Sequence, residues 1–156
     1  MDGQWLSVAD GSEWEKAARG GLSGQRFPWG DTISESQATY YGDTARDSYD
    51  LGPNGFNSIG LIGGYPYPSL VGSFAANGYG LYDMAGNVNE WCWGWYGTPY
   101  GGGMDPRGPA SGSTRVLRGG VCYGVAAFCR SASRWTTTSE NFADGVGFRS
   151  VLPLAQ

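Results

Sequence analysis

Apolar residues recur at helical spacing near the start of the chain. Trp14 and the pair Ala17-Ala18 fall on one face of a helix with 3.6 residues per turn. Ser12 precedes them, and Glu15 follows three residues later, which is the spacing of a capping box. Gly20-Gly21 then supplies residues that tolerate the left-handed conformation in which helices commonly end. The pattern predicts one short helix.

Period-two patterns predict strands in the second half of the chain. In residues 90–95 (EWCWGW) every second residue is tryptophan, so the three rings share one strand face, which we expect to pack in the core. Residues 115–118 (RVLR) and 146–151 (VGFRSV) predict two further strands, and residues 128–134 a third. Residues 22–80 contain turn signals throughout but many aromatic rings, and predict a long structured loop region.

Composition narrows the classes of function. The length of 156 residues fits one domain, and 28 glycines without a collagen period indicate many turns. The net charge is −4 with a single lysine, Lys16, so we expect no nucleic-acid partner. The absence of histidine excludes a Ser-His-Asp triad and histidine metal ligands. No apolar run reaches the ~18 residues of a membrane span, and no signal peptide is visible at residue 1.

Five segments in a fixed order carry a resemblance to a known family. They are EWEKAARGG (13–21), FPWGD (27–31), NGYGLYDMAGNVNEW (77–91), RGG (118–120) and GFR (147–149). Together they resemble the formylglycine-generating enzyme, or sulfatase-modifying factor, family. The resemblance implies an α+β, C-type-lectin-like fold, with small antiparallel sheets, few helices and many loops, in a single domain over residues 1–156. The family's first strands and first helix are not visible in residues 1–10, so we expect an N-terminally short domain.

The resemblance also implies a structural calcium ion. Asp83, Gly86, Val88 and Glu90 fall where the family's motif places one. Two carboxylates and two backbone carbonyls would supply the hard oxygen ligands that Ca²⁺ prefers, and the glycine permits a sharp turn. The alternative is an Asx-turn at Asp83 with Glu90 paired to an arginine.

Catalysis in this family depends on cysteine. The enzymes oxidise a target cysteine to formylglycine, and they resemble copper-dependent oxidases with two nearby thiolates, ligands that suit Cu(I). The candidates here, Cys122 and Cys129, are seven residues apart, and the family's second cysteine is absent because Gly124 or Val125 stands at its position. We therefore favour a non-catalytic protein without copper. The alternative is a formylglycine-generating oxidase in which the two cysteines meet in space.

Residues 118–149 resemble the variable proteins of diversity-generating retroelements. In that system, mutagenic reverse transcription changes adenines in asparagine-type codons, so Lys, Gln, Met, Glu and Trp are inaccessible. Between residues 121 and 145, outside the framework positions, only Trp135 and Glu140 break this rule. A rigid scaffold can present variable loops, where aromatic residues give contact area and Ser, Thr and Asn give adaptable hydrogen bonds.

We therefore predict a surface-recognition protein. Its ligand would be a protein or other macromolecule, with a location at a cell surface or on a phage. The predicted contact residues are Tyr123, Val125, Phe128, Ser133, Trp135, Thr136, Thr138, Asn141, Phe142 and Asp144. The alternative places the rings of Phe128 and Trp135 in the core and the threonines in a solvated loop. Arg130, Arg134 and Arg149 are predicted to be scaffold residues that satisfy loop carbonyls. A structural or accessory role within the family is the third hypothesis.

Overall fold

The computed structural model describes residues 7–8, 11–98, 108–138 and 144–151. These residues contain a nine-residue helix α1 (Gly11–Arg19), two short 3₁₀ helices (Ser58–Gly60 and Ala126–Cys129) and ten strands. The strands are β1 (Ser7–Val8), β2 (Tyr41–Gly42), β3 (Gly55–Phe56), β4 (Leu61–Ile62), β5 (Tyr65–Pro66), β6 (Asn89–Trp95), β7 (Thr114–Arg118), β8 (Trp135–Thr138), β9 (Val146–Phe148) and β10 (Ser150–Val151). The chain has the expected α+β architecture of small sheets and loops. No helix in the described ranges is long and apolar enough to cross a membrane.

Helix α1 forms where the apolar spacing predicts it. Trp14 and Ala18 are buried, and Gly20-Gly21 follows with positive φ angles, as expected of a helix end. The helix begins at Gly11, so Ser12 lies within its first turn and not before it, where the predicted capping box placed it. The carboxylate of Glu15 accepts hydrogen bonds from Arg19 and Arg118.

The largest sheet has four strands in the order β8-β7-β6-β9. All neighbours are antiparallel except β6 and β9, which are parallel. One face packs against α1, where Cys92 and Val116 join Trp14 in a hydrophobic cluster. The prediction that the tryptophans of β6 face the core is wrong. The register of β6 shifts between Trp91 and Trp95, which are both half-buried, and Trp93 is 52% exposed, whereas Cys92 and Gly94 are buried.

Two predicted strands differ from the structure. Residues 128–134 do not form a strand, because Ala126 and Cys129 are buried in a 3₁₀ helix and the chain turns before β8 begins at Trp135. Residues 146–151 form two strands rather than one. Of these, β9 pairs with β6, and β10 pairs antiparallel with β1.

The loop region between residues 22 and 80 is structured, as predicted. It contains the two-stranded sheets β2-β3 and β4-β5 and the buried side chains of Phe27, Ile33 and Tyr40. The same hydrophobic cluster includes Ala126 and Cys129 from the second half of the chain. The loop region and the C-terminal region therefore share one core, which fixes the backbone on either side of the predicted contact residues.

Candidate ligand-binding site

A cavity of about 360 Å³ opens between strand β8 and the segment that follows Gly120. Five of the ten predicted contact residues line it, namely Tyr123, Phe128, Ser133, Trp135 and Thr136. Leu117, Val121 and Val146 form the apolar part of its wall, and Asn89 and Thr137 add polar groups. The volume lies at the lower end of the range of ~300–1,000 Å³ that is typical of ligand pockets.

Aromatic side chains form the most exposed part of the wall. The rings of Phe128 and Trp135 lie 5.1 Å apart between centroids, in a tilted arrangement. Phe128 is 36% exposed and Trp135 57% exposed, so the alternative that placed them in the core is wrong. The hydroxyl of Tyr123 donates a 2.6 Å hydrogen bond to the carbonyl of Asp144, which holds the half-exposed ring against the loop before β9. These rings present contact area with little freedom to lose on binding.

The backbone that carries these side chains is held by hydrogen bonds to the rest of the fold. Gly124 O accepts from Tyr41 N at 2.8 Å, and Cys122 N donates to Asn87 O at 2.9 Å. Val121, Cys122 and Ala126 are buried. Gly145 has a φ of 79°, and a Cβ there would lie 2.5 Å from Val121 Cγ2. Within residues 121–128, some side chains are therefore exposed at the surface, and others are buried in the scaffold.

The remaining predicted contact residues lie outside the cavity. Val125 is half-buried and pairs with Tyr41 in an isolated bridge, so it belongs to the scaffold side of the segment. Thr138 is exposed at the end of β8, and Asp144 is exposed beside Tyr123. Asn141 and Phe142 lie outside the described residues.

A buried arginine, Arg118, closes the inner end of the cavity. Its guanidinium donates to the carbonyls of Gly11, Ser131 and Ser133 and to Glu15 Oε2, at distances between 2.6 and 3.2 Å. Burial alone would raise the pKa of Glu15, but hydrogen bonds and charge from Arg118 and Arg19 outweigh it and lower that pKa. The guanidinium therefore ties the cavity wall to α1, and its charge is already compensated.

The three arginines predicted as scaffold residues do donate to loop carbonyls. Arg130 donates to Ala127 O, Arg134 to Gly97 O and Arg149 to Tyr82 O. Arg118, which the sequence placed in the RGG motif but not among these scaffold arginines, donates to three carbonyls. A signal was available, because Arg118 ends a strand directly before two glycines.

Both carboxylates of the predicted calcium site accept hydrogen bonds from the protein. Both oxygens of Glu90 accept from Arg149, at 2.6 and 3.0 Å, and one also accepts from the Trp14 indole at 2.6 Å. This is the alternative that paired Glu90 with an arginine. Asp83 Oδ2 accepts from Gly72 N, whereas Asp83 Oδ1 is buried without a hydrogen-bond partner. An ion would have to displace Arg149, and calcium at Asp83, Gly86, Val88 and Glu90 stays a prediction.

The cysteines are buried and none forms a disulfide. Burial raises the pKa of Cys122, and it raises the pKa of Cys129 to about 12. Cys129 belongs to the cluster around Phe27 and Tyr40, and its thiol faces the carbonyl of Val125. In the described ranges, no three acidic, thiol or imidazole side chains are close enough to share a metal. Because the thiolate is the form that binds Cu(I), burial of both thiols opposes the oxidase chemistry.

Comparisons with known proteins agree with this fold. The family model of the sulfatase-modifying factor enzyme 1-like domain matches residues 4–154. The formylglycine-generating enzyme of Thermomonospora curvata is 35% identical over 147 residues, which cover 88% of this chain and 46% of the relative. The inactive C-alpha-formylglycine-generating enzyme 2 of Mus musculus is 32% identical over 148 residues, with 88% and 40% covered. The chain thus spans less than half the length of these curated relatives.

Solved structures give the same result. Variable protein 1 of Treponema denticola superposes with a TM-score of 0.71 at 32% identity, over 92% of this chain and 46% of that one. PvdO from Pseudomonas aeruginosa superposes with a TM-score of 0.69 at 26% identity, over 94% of this chain and 52% of that one. The resemblance read from the five sequence segments is therefore confirmed, and the chain belongs to the family of sulfatase-modifying factor enzyme 1-like domains.

Proposed function

We propose that this chain is a non-catalytic recognition domain that binds a macromolecular ligand through the cavity beside β8. The observation that carries the proposal is the position of the predicted variable residues. Tyr123, Phe128, Ser133, Trp135 and Thr136 converge on one cavity although they come from two separate segments. Their neighbours Val121, Cys122 and Ala126 are buried, so the frame can stay constant while the surface side chains differ.

Similarity to variable protein 1 of Treponema denticola supports this function. The similarity to formylglycine-generating enzymes supports the oxidase alternative. Against the oxidase stand the burial of Cys122 and Cys129 and their raised pKa values, because a catalytic thiolate needs access and a lowered pKa. We therefore rank recognition above catalysis.

An activity assay separates the two functions. The purified chain, supplied with Cu(I) and oxygen, is incubated with a cysteine peptide of the sulfatase type, and the peptide is analysed by mass spectrometry for formylglycine. We expect no conversion above that of the double variant Cys122→Ser and Cys129→Ser. Conversion by the unmodified chain that disappears in the double variant would establish the oxidase and refute the proposal.

Natural sequence variation tests recognition directly. The gene is sequenced from many cells of one population, together with its flanking DNA. We expect substitutions at Tyr123, Phe128, Ser133 and Thr136, constant codons at Ala126, and a template repeat with a reverse-transcriptase gene nearby. Substitutions spread evenly over exposed positions of the whole chain, with no such repeat, would contradict the assignment.

A further inference from the structure

The cavity lies against the four-stranded sheet, and residues from all four strands contribute to its wall. It contacts Trp135, Thr136 and Thr137, three successive residues of β8. Side chains of successive strand residues point to opposite faces of a sheet. A cavity that contacts three in a row must therefore reach the backbone of β8 or both sides of the strand, so it adjoins the strand that ends the sheet.

Strand β8 is the outermost strand in the sheet order, and none of the described strands pairs with its outer edge. Natural edge strands are commonly protected from pairing by lysine, other charges, proline or a bulge. The sequence of β8, Trp-Thr-Thr-Thr, contains none of these residues and pairs in regular register with β7. Threonine and tryptophan also favour the extended conformation. Apart from its short length of four residues, this edge has none of these protections and can accept one more strand.

The cavity selects against charge. Among the described residues of its wall, Arg118 alone is charged, and that guanidinium is buried and already bonded to Glu15 and three carbonyls. An ionic group placed among Leu117, Val121 and Val146 would lose its hydration without gaining a partner of opposite charge. An uncharged aromatic or aliphatic side chain would instead contact the Phe128–Trp135 pair.

We infer that the ligand of this site is an extended segment of another protein, which pairs with the outer edge of β8 and places one uncharged aromatic or aliphatic side chain in the cavity. The inference rests on the proposed recognition function and names its class of ligand. Backbone pairing with β8 supplies affinity that is independent of the partner's sequence, and the cavity supplies selectivity for the anchoring side chain. Variation at Tyr123, Phe128 and Thr136 would then change which anchor fits and leave the pairing intact.

Selection from a display library tests the inference with a defined probe. Random linear peptides on phage are selected against the folded chain, and enriched peptides are synthesised. We expect them to share one uncharged aromatic or aliphatic position flanked by β-branched residues. Trp135→Ala and Phe128→Ala should each weaken binding by about 30-fold or more, the loss typical of a hot-spot residue. Trp93→Ala is the matched control, because Trp93 is as exposed as Trp135 but lies outside the cavity wall.

Amide hydrogen exchange identifies the pairing. In the complex, amides of residues 135–138 that exchange freely in the unbound chain should become protected. Thermal melts establish that each variant is folded. The inference is overturned if no peptide is enriched, if the shared position is charged, or if exchange in β8 is unchanged by the peptide. A dimer of this chain that protects β8 in the absence of peptide would also overturn it.

The outcomes separate this inference from the proposed function. If binding depends on Trp135 and Phe128 but hydrogen exchange in β8 is unchanged, strand pairing is refuted and recognition through the cavity stands. If binding is unchanged by replacement of either ring, and natural substitutions are spread evenly over the chain, the proposed recognition function is refuted as well.

Discussion

Replacement of Arg118 by methionine should be among the most damaging single changes in the described part of the chain. The methionine keeps an apolar stem of similar length but removes every donor. It would leave the carbonyls of Gly11, Ser131 and Ser133 and the Glu15 carboxylate without the bonds that they make now. Arg118 is 1% exposed, so water cannot readily replace the guanidinium.

The expected cost follows from that burial. A buried acceptor that loses its partner typically costs about 1–3 kcal/mol, and three carbonyls lose theirs, so we expect a total of about 3–5 kcal/mol. For a domain of this size, that corresponds to a decrease of the melting temperature by about 10 °C. Because the charge of Arg118 lowers the pKa of Glu15, the wild-type chain should also gain stability from this pair above the ordinary carboxyl pKa of about 4.3 and lose it as the pH falls through the lower folded value. Arg118→Met should weaken this pH dependence.

Urea unfolding monitored by tryptophan fluorescence measures the free energy, repeated between pH 3 and pH 7. Arg115→Met is the control, because Arg115 lies on the same strand but is only half-buried, where it donates to Trp93 O and stacks on Trp95. We expect the control to cost about 1 kcal/mol or less. A cost below 1 kcal/mol for Arg118→Met, or equal costs for the two variants, would refute the role given to Arg118.

Three further outcomes are expected. With its pKa raised to about 12, the Cys129 thiol should resist thiol reagents at pH 8 in the folded chain and react after unfolding, which thiol titration with and without urea measures. Its contribution to stability should decline as the pH rises from about 8.5 towards 12, which urea unfolding at several pH values measures. Gly86→Ala should cost about 2 kcal/mol or more, because φ is 73° and the new Cβ would lie 2.3 Å from Thr39 O; a thermal melt unchanged within error would contradict this. If calcium binds as predicted, added Ca²⁺ should raise the melting temperature relative to EDTA, and Asp83→Asn should abolish the increase. Equal melting temperatures in the two buffers would contradict the calcium prediction.

Local patterns in the sequence predicted the elements that depend on near neighbours. Helix α1 and strand β7 are short-range features, and their apolar spacing and flanking glycines were sufficient. Motif order identified the family, and the variable positions between 121 and 136 predicted five residues of the cavity wall. Those residues could be found because their types, aromatic and small polar, differ from the buried framework around them.

Tertiary structure decided which face of each element is buried. The tryptophan alternation in β6 predicts three rings in the core, but the packing of α1 against Cys92 and Val116 leaves Trp93 exposed and Trp91 and Trp95 half-buried. Likewise, residues 128–134 were predicted as a strand, yet Cys129 is buried beside Phe27 and Tyr40 at the end of a 3₁₀ helix. Arg118 gained its role from carbonyls as many as 107 positions away, a separation that no local pattern encodes. The sequence by itself therefore determined which residues could form strands, helix and contact surface, and long-range packing determined which of them meet and which remain exposed.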